Sequence, residues 1–237
     1  MSSTTTLAVL QPGYLPWLGF FDQLLRCDVF VLYDDVPYDK HGWRNRNRLK
    51  SARGPQWISV PVLHSGRFGQ RVLDVEIDGA APWARKHLGT IRHLYAASSH
   101  LDAYLGELTG LLSRPWRMLV DLDVALIEQM CAWLDIQRAM LRASKLGIPG
   151  KRSERLLRLC QHFGATRYLT GDAARSYLDV ALFEAAGIEV TWQTFQHPVY
   201  PQLHGEFVPC LSALDLLLNC GKESGAMLAA ASAGGIE

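Results

Sequence analysis

The sequence predicts an α/β protein built on one parallel sheet, with a β-hairpin and a helical block inserted into it. Three observations predict this. Short continuous apolar runs recur along the chain, amphipathic helical segments separate them, and one stretch in the first third alternates as a hairpin does. A continuous apolar run marks a strand covered on both faces, as a parallel sheet between two helix layers requires.

Leu7–Leu10 is the first such run, and Gly19–Arg26 follows with Phe20, Phe21, Leu24 and Leu25 at helical spacing. Val29–Tyr33 is the second strand, closed by Asp34-Asp35, so the chain opens as a βαβ unit. Trp43–Lys50 alternates, Arg53-Gly54-Pro55 is a turn, and Gln56–Val62 is strand-like, which together predict the inserted hairpin. Arg71–Asp78 alternates as well and reads as a third hairpin strand. Three helices are expected at Trp83–Tyr95, Leu101–Leu112 and Met118–Leu134. The sheet then resumes with strands at Gln137–Ala143, Thr166–Thr170 and Glu189–Phe195. Helices at Lys151–Phe163, Leu178–Ala186 and Leu211–Leu218 accompany them, with Gly187 ending the second and Ser212 capping the third.

This is a Rossmann-like arrangement, read as one α/β domain over residues 1–225. Its hairpin region is 40–78, its helical block 82–135, and 226–237 an Ala/Ser/Gly tail expected to fray.

Bulk composition narrows the function classes. The 237 residues are 49% hydrophobic and 20% charged with a net charge of +1, so no global field draws in nucleic acid. Five irregularly spaced cysteines without a CxxC argue against a disulfide framework or structural zinc. The start lacks a signal-peptide pattern, and no apolar stretch approaches the ~20 residues of a membrane span, so a cytoplasmic location is expected.

The motifs gather at the carboxyl ends of the expected strands, where open α/β sheets bind ligands. The run Gln11-Pro12-Gly13-Tyr14-Leu15-Pro16-Trp17-Leu18-Gly19 joins the first strand to the first helix. Gln11, Tyr14 and Trp17 are candidate ligand contacts, with a rigid core-plugging turn as the alternative. Strand, Pro-x-Gly turn and helix are laid out as in HIGH-type nucleotidyltransferases, whose histidines flank a Gly at the first helix start. Here Trp17 and Phe20 flank Gly19, so the imidazoles of that chemistry are missing.

Asp34 and Asp35 are candidates for a general base or a polar substrate contact, and no metal site is expected. The hairpin places Arg44, Arg46, Arg48 and Lys50 on one face, with Trp43, Asn45, Asn47 and Leu49 on the other. Arginines so arrayed match phosphate or carboxylate, and a solvated edge strand is the alternative. Lys151 near a helix start, Gly171 and Arg175 in a strand-end turn, and Tyr200 and Gln202 after the last strand complete the candidate binding set. Cys210 is read as opening the last helix, where a thiolate would be stabilised, with simple packing as the alternative.

Together these motifs resemble the WbqC-like family. The matching pieces are Gln11-Pro12 with Leu15–Phe21, Asp28–Val31 with Asp34–Tyr38, Gly42-Trp43 with Asn45–Arg48, and Val60–Val62. Ala165–Gly171, Tyr177–Asp179 and Phe207–Pro209 with Leu211–Asp215 continue the match, which runs from about Leu7 to Gly221.

The resemblance implies a bacterial protein of surface-polysaccharide or specialised-metabolite assembly, acting on an activated sugar or a carrier-bound acyl group. It carries no catalytic residues over. The resulting expectation is a biosynthetic transferase moving an acyl or aminoacyl group to an amine. In it Asp34 or Asp35 is the base, the hairpin arginines and Lys151 hold a phosphate-bearing substrate or a carrier-protein arm, and the cofactor is left open. The alternative expectation is a non-catalytic nucleotide- or nucleotide-sugar-binding protein.

Overall fold

The computed structural model describes residues 4–233. Five strands form one all-parallel sheet: β1 (Thr6–Leu10), β2 (Val29–Leu32), β5 (Met140–Arg142), β6 (Arg167–Thr170) and β7 (Glu189–Trp192). Their order across the sheet is β5-β2-β1-β6-β7. In sheet-strand count this is 3-2-1-4-5, the Rossmann order, with the reversal between β1 and β6. Register is fixed by Leu7 opposite Val29 on one side and Tyr168 on the other.

The continuous apolar runs are explained by two cores, one on each face. Leu7, Val9, Val31 and Tyr168 face α6 (Arg152–His162) and α7 (Val180–Glu184). Ala8, Phe30, Leu32 and Leu169 face a larger layer containing α1 (Leu18–Arg26) and α8 (Ala213–Cys220). Residues 33–139 carry the insertion: a two-stranded sheet of β3 (Arg46–Ser51) and β4 (Gly54–Ser59), then α2 (Trp83–Leu94), α3 (Leu101–Leu112) and α4 (Leu119–Trp133). The inserted helices share the larger core, as Leu88, Leu108 and Leu126 show. A short α5 (Ala143–Leu146) follows β5.

Two expectations change. Only the end of Arg71–Asp78 joins the hairpin: Val72–Asp74 forms a 3₁₀ turn, which breaks the two-residue period, while Ile77 makes an antiparallel bridge with Val62 just past β4. Leu63 N donates to Glu76 O and Asp78 N to Pro61 O, both at 2.9 Å, while Leu73 N donates to Asp34 O and Ile77 N to Arg117 O. Downstream of residue 226 the chain is helical rather than frayed. α9 (Ser224–Ala233) buries Leu228 and Ser232 and packs on α1; the remaining tail, 234–237, lies outside the described residues. No helix among the described residues is long and apolar enough to cross a membrane.

Candidate functional site

A cavity of about 550 Å³ opens at the carboxyl ends of β1, β6 and β7, beside the point where strand order reverses. Open α/β sheets place ligands there because diverging loops on either side of the reversal leave a crevice. The volume is within the range of small-molecule sites.

The Gln11–Gly19 loop forms the first wall. Gly13 allows the hairpin to approach, since a Cβ there would sit 2.8 Å from the Trp43 carbonyl oxygen. Tyr14 N donates to Arg44 O at 3.0 Å, and Asn47 Nδ2 donates to Leu15 O at 2.7 Å. That second bond holds Leu15 at a positive φ of 45°, a costly backbone for a branched residue. A Cβ at Gly19 would overlap the Trp17 ring, so only glycine lets the indole lie across the start of α1. Trp17 is 37% exposed and meets Phe195 edge-on at 5.8 Å.

The hairpin at residues 43–47 is the second wall, and the 210–213 segment is the third, stitched to the others by Ala213 N donating to Pro16 O at 2.8 Å and Ser212 N to Arg48 O at 3.0 Å. Cys210 lines the cavity with φ 58°. It does not open a helix: α8 starts at Ala213, because Ser212 Oγ caps by accepting from Leu214 N at 3.2 Å.

The floor is polar and buried. Gln193 Nε2 donates to Gly19 O at 2.7 Å and to Asp22 Oδ2 at 2.6 Å, while Gln193 Oε1 accepts from Gln23 Nε2 at 2.7 Å. One cation lines the space. Arg44 Nη1 donates to Gln11 O at 3.0 Å, and burial pushes its pKa down against the opposing pull of Asp123. Asp123 is fully buried and neither carboxyl oxygen has a hydrogen-bond partner; burial holds its pKa well above the ordinary carboxylate range. Asp123 and Asp39 both pull on the Arg44 charge, but among the described residues no carboxylate forms a salt bridge with its guanidinium, which lines the crevice.

Of the expected residues, Gln11, Trp17, Trp43, Asn47, Gly171 and Cys210 line this crevice. The others lie elsewhere. Asp34 is buried and accepts from Arg142 Nε at 2.6 Å, Ser144 N at 2.9 Å and Ser144 Oγ at 2.7 Å. Asp35 accepts from Arg155 Nη2 at 2.5 Å. Asp34 is fully occupied in joining β2 to β5, which does not suit a base waiting for substrate, and Asp35 ties β2 to α6 through one oxygen, its Oδ1 buried without a partner and outside the crevice lining.

Tyr14 is core: its hydroxyl meets His87 Nδ1 at 2.8 Å, and burial raises its pKa. The arginine row is likewise turned on the protein itself. Arg46 donates to Gly42 O and His41 O and stacks over Trp57, and Arg48 donates to Cys210 O at 3.2 Å. Lys50 is buried, donating to Gly205 O and Glu206 O. Asn45 Nδ2 donates to Val60 O at 2.8 Å. Arg175 pairs with Asp172 at 3.0 Å and covers Trp192. Tyr200 and Gln202 both donate to the buried Asp215, at 2.9 and 2.8 Å. Lys151 is exposed at the start of α6, away from the crevice lining.

Gln23, Gln193, Phe195 and Asp22 were missed. Gln23 and Asp22 sit in a helix that reads as apolar and amphipathic, and Gln193 in an expected strand. Two uncharged glutamines 170 positions apart carry no local signal; a polar residue inside an apolar run is the one clue.

The fold and crevice define the class: an α/β protein of Rossmann strand order with an aromatic-walled, amide-floored pocket at its switch point. Within that class, the chain belongs to the WbqC-like protein family, whose model matches residues 11–227. It is 38% identical over 220 residues to the uncharacterized protein Rv1507c of Mycobacterium tuberculosis, an alignment covering 92% of this chain and 95% of the other. No solved structure matches the chain significantly.

Proposed function

We propose that this protein binds a nucleotide or nucleotide sugar in the switch-point crevice. The observation that carries the reading is the lining itself. Trp17, Trp43 and Phe195 offer flat apolar faces, the amide floor offers hydrogen bonds, and Arg44 is the cation placed for a phosphate. The resemblance to proteins of surface-polysaccharide assembly supports a sugar nucleotide among such ligands. The test is a thermal-shift and calorimetric screen of nucleoside diphosphates and their sugars. The expected result is binding that weakens at least about tenfold in Arg44→Met, as loss of a charge-assisted bond implies. Absence of any nucleotide-dependent shift sinks the reading.

A second reading, acyl or aminoacyl transfer to an amine, is favoured by one observation. Cys210 is a thiol on a positive-φ turn at the crevice wall, a backbone state found at strained functional positions. Incubation with acyl-coenzyme A followed by intact mass measurement tests it. An acyl adduct absent from Cys210→Ser supports transfer; an unmodified wild-type chain removes it.

A further inference from the structure

We infer that the crevice floor reads a hydrogen-bond donor on the nucleobase, and that Gln23 Oε1 is the reading atom; this rests on the nucleotide reading above. The argument is one of polarity. The hydrogen-bond partners fix which amide atom is oxygen and which is nitrogen. The Gly19 carbonyl and the Asp22 carboxylate can only accept, so the Gln193 group facing both must be its NH₂. Gln193 therefore turns its oxygen to Gln23, and Gln23 must answer with its own NH₂, at 2.7 Å. The relay ends with Gln23 Oε1 as an acceptor.

That end is unfinished. Gln23 is 3% exposed and lines the crevice, yet its Oε1 has no hydrogen-bond partner. A buried acceptor without a partner costs stability, and a ligand that supplies an N–H recovers it. Asp22 and Gly19 thus fix from behind the protein what Gln23 requires in front. Gly171 lies beside this amide, where a Cβ would meet Gln23 Nε2 at 3.5 Å. A base edge bearing an N–H, such as the imide of uracil or the amine of adenine, satisfies the floor; an acceptor at that position faces another acceptor. Between aromatic walls the base stacks, and the phosphates extend toward Arg44.

The experiment compares uridine diphosphate with its N3-methyl analogue, and adenosine diphosphate with its N6,N6-dimethyl analogue, by calorimetry. In the wild type at least one parent is expected to bind about tenfold more tightly than its methylated form. In Gln23→Met, a side chain of similar size without the acceptor, the two forms are expected to agree within about twofold. Discrimination that persists in Gln23→Met is steric and overturns the inference. Equal binding of parent and methylated forms by the wild type, with both lost in Arg44→Met, overturns the inference while the nucleotide reading stands. No binding of either parent overturns both. The wild-type comparison needs no variant, so a misfolded Gln23→Met leaves the wild-type result decisive.

Discussion

Two groups of polar residues lie at carboxyl ends of the same parallel sheet, and they have opposite fates. At β2 and β5, Asp34 has both oxygens bonded to Arg142 and Ser144, while Asp35 pairs with Arg155 and keeps a buried Oδ1 without a partner. At β1, β6 and β7, Gln23 is left one partner short and Arg44 has no salt-bridge partner among the described residues. Position at a strand end brings polar groups together in both places. Whether they are spent on each other separates a closed site from one open to a ligand. The acidic pair is the more conspicuous in sequence, and Asp34 is its closed member.

The largest effect should come from opening the closed end. Asp34→Ala removes the acceptor for three hydrogen bonds and leaves the Arg142 guanidinium only its more exposed partner, Asp121 at 3.0 Å. Urea denaturation should show a loss of about 4 kcal/mol, the scale for breaking a buried pair. Nucleotide affinity measured under folding conditions should change by less than about twofold. A large affinity loss with intact stability would reverse the contrast between the two ends.

Acid should act next, on the wall behind the crevice. Burial lowers the His87 pKa from 6.5 to about 4, so the folded state holds it neutral, accepting from Tyr14 and bonded to the Ser59 backbone. The unfolded chain binds this proton first. The stabilisation is therefore complete above pH 6.5 and is lost as pH falls from 6.5 toward 4, at up to about 1.4 kcal/mol per pH unit. Denaturation midpoints across that window should fall less steeply in His87→Phe than in the wild type.

The smallest effect should come from the arginine row. Arg46 stacks on Trp57 and bonds two carbonyls of its own loop, so Arg46→Ala should cost roughly 1 kcal/mol. It should leave nucleotide affinity within about twofold, whereas Arg44→Met should not. A tenfold loss in Arg46→Ala would move the anion site onto the hairpin.

The sequence made much of the fold legible. Runs such as Leu7–Leu10 and Val29–Tyr33 are apolar on both faces, and that pattern follows from two-sided burial alone. Half the crevice was legible too, because Gln11, Trp17, Trp43, Asn47 and Gly171 sit in turns whose composition packing does not require. Arg71–Asp78 misled, since alternation records which side chains are buried and not which backbone pairs with which. Lys50 misled for the same kind of reason: its strand face points outward, but residues 205–206 fold over it.

By itself, then, the sequence determined the parallel α/β sheet, the inserted hairpin and the loop that begins the crevice, because periodicity and turn chemistry are local. Only the tertiary structure decided which polar groups are free. Asp34 finds Arg142 across 108 positions and Gln23 finds Gln193 across 170, and partnership at that separation exists only once the sheet has brought its strand ends together.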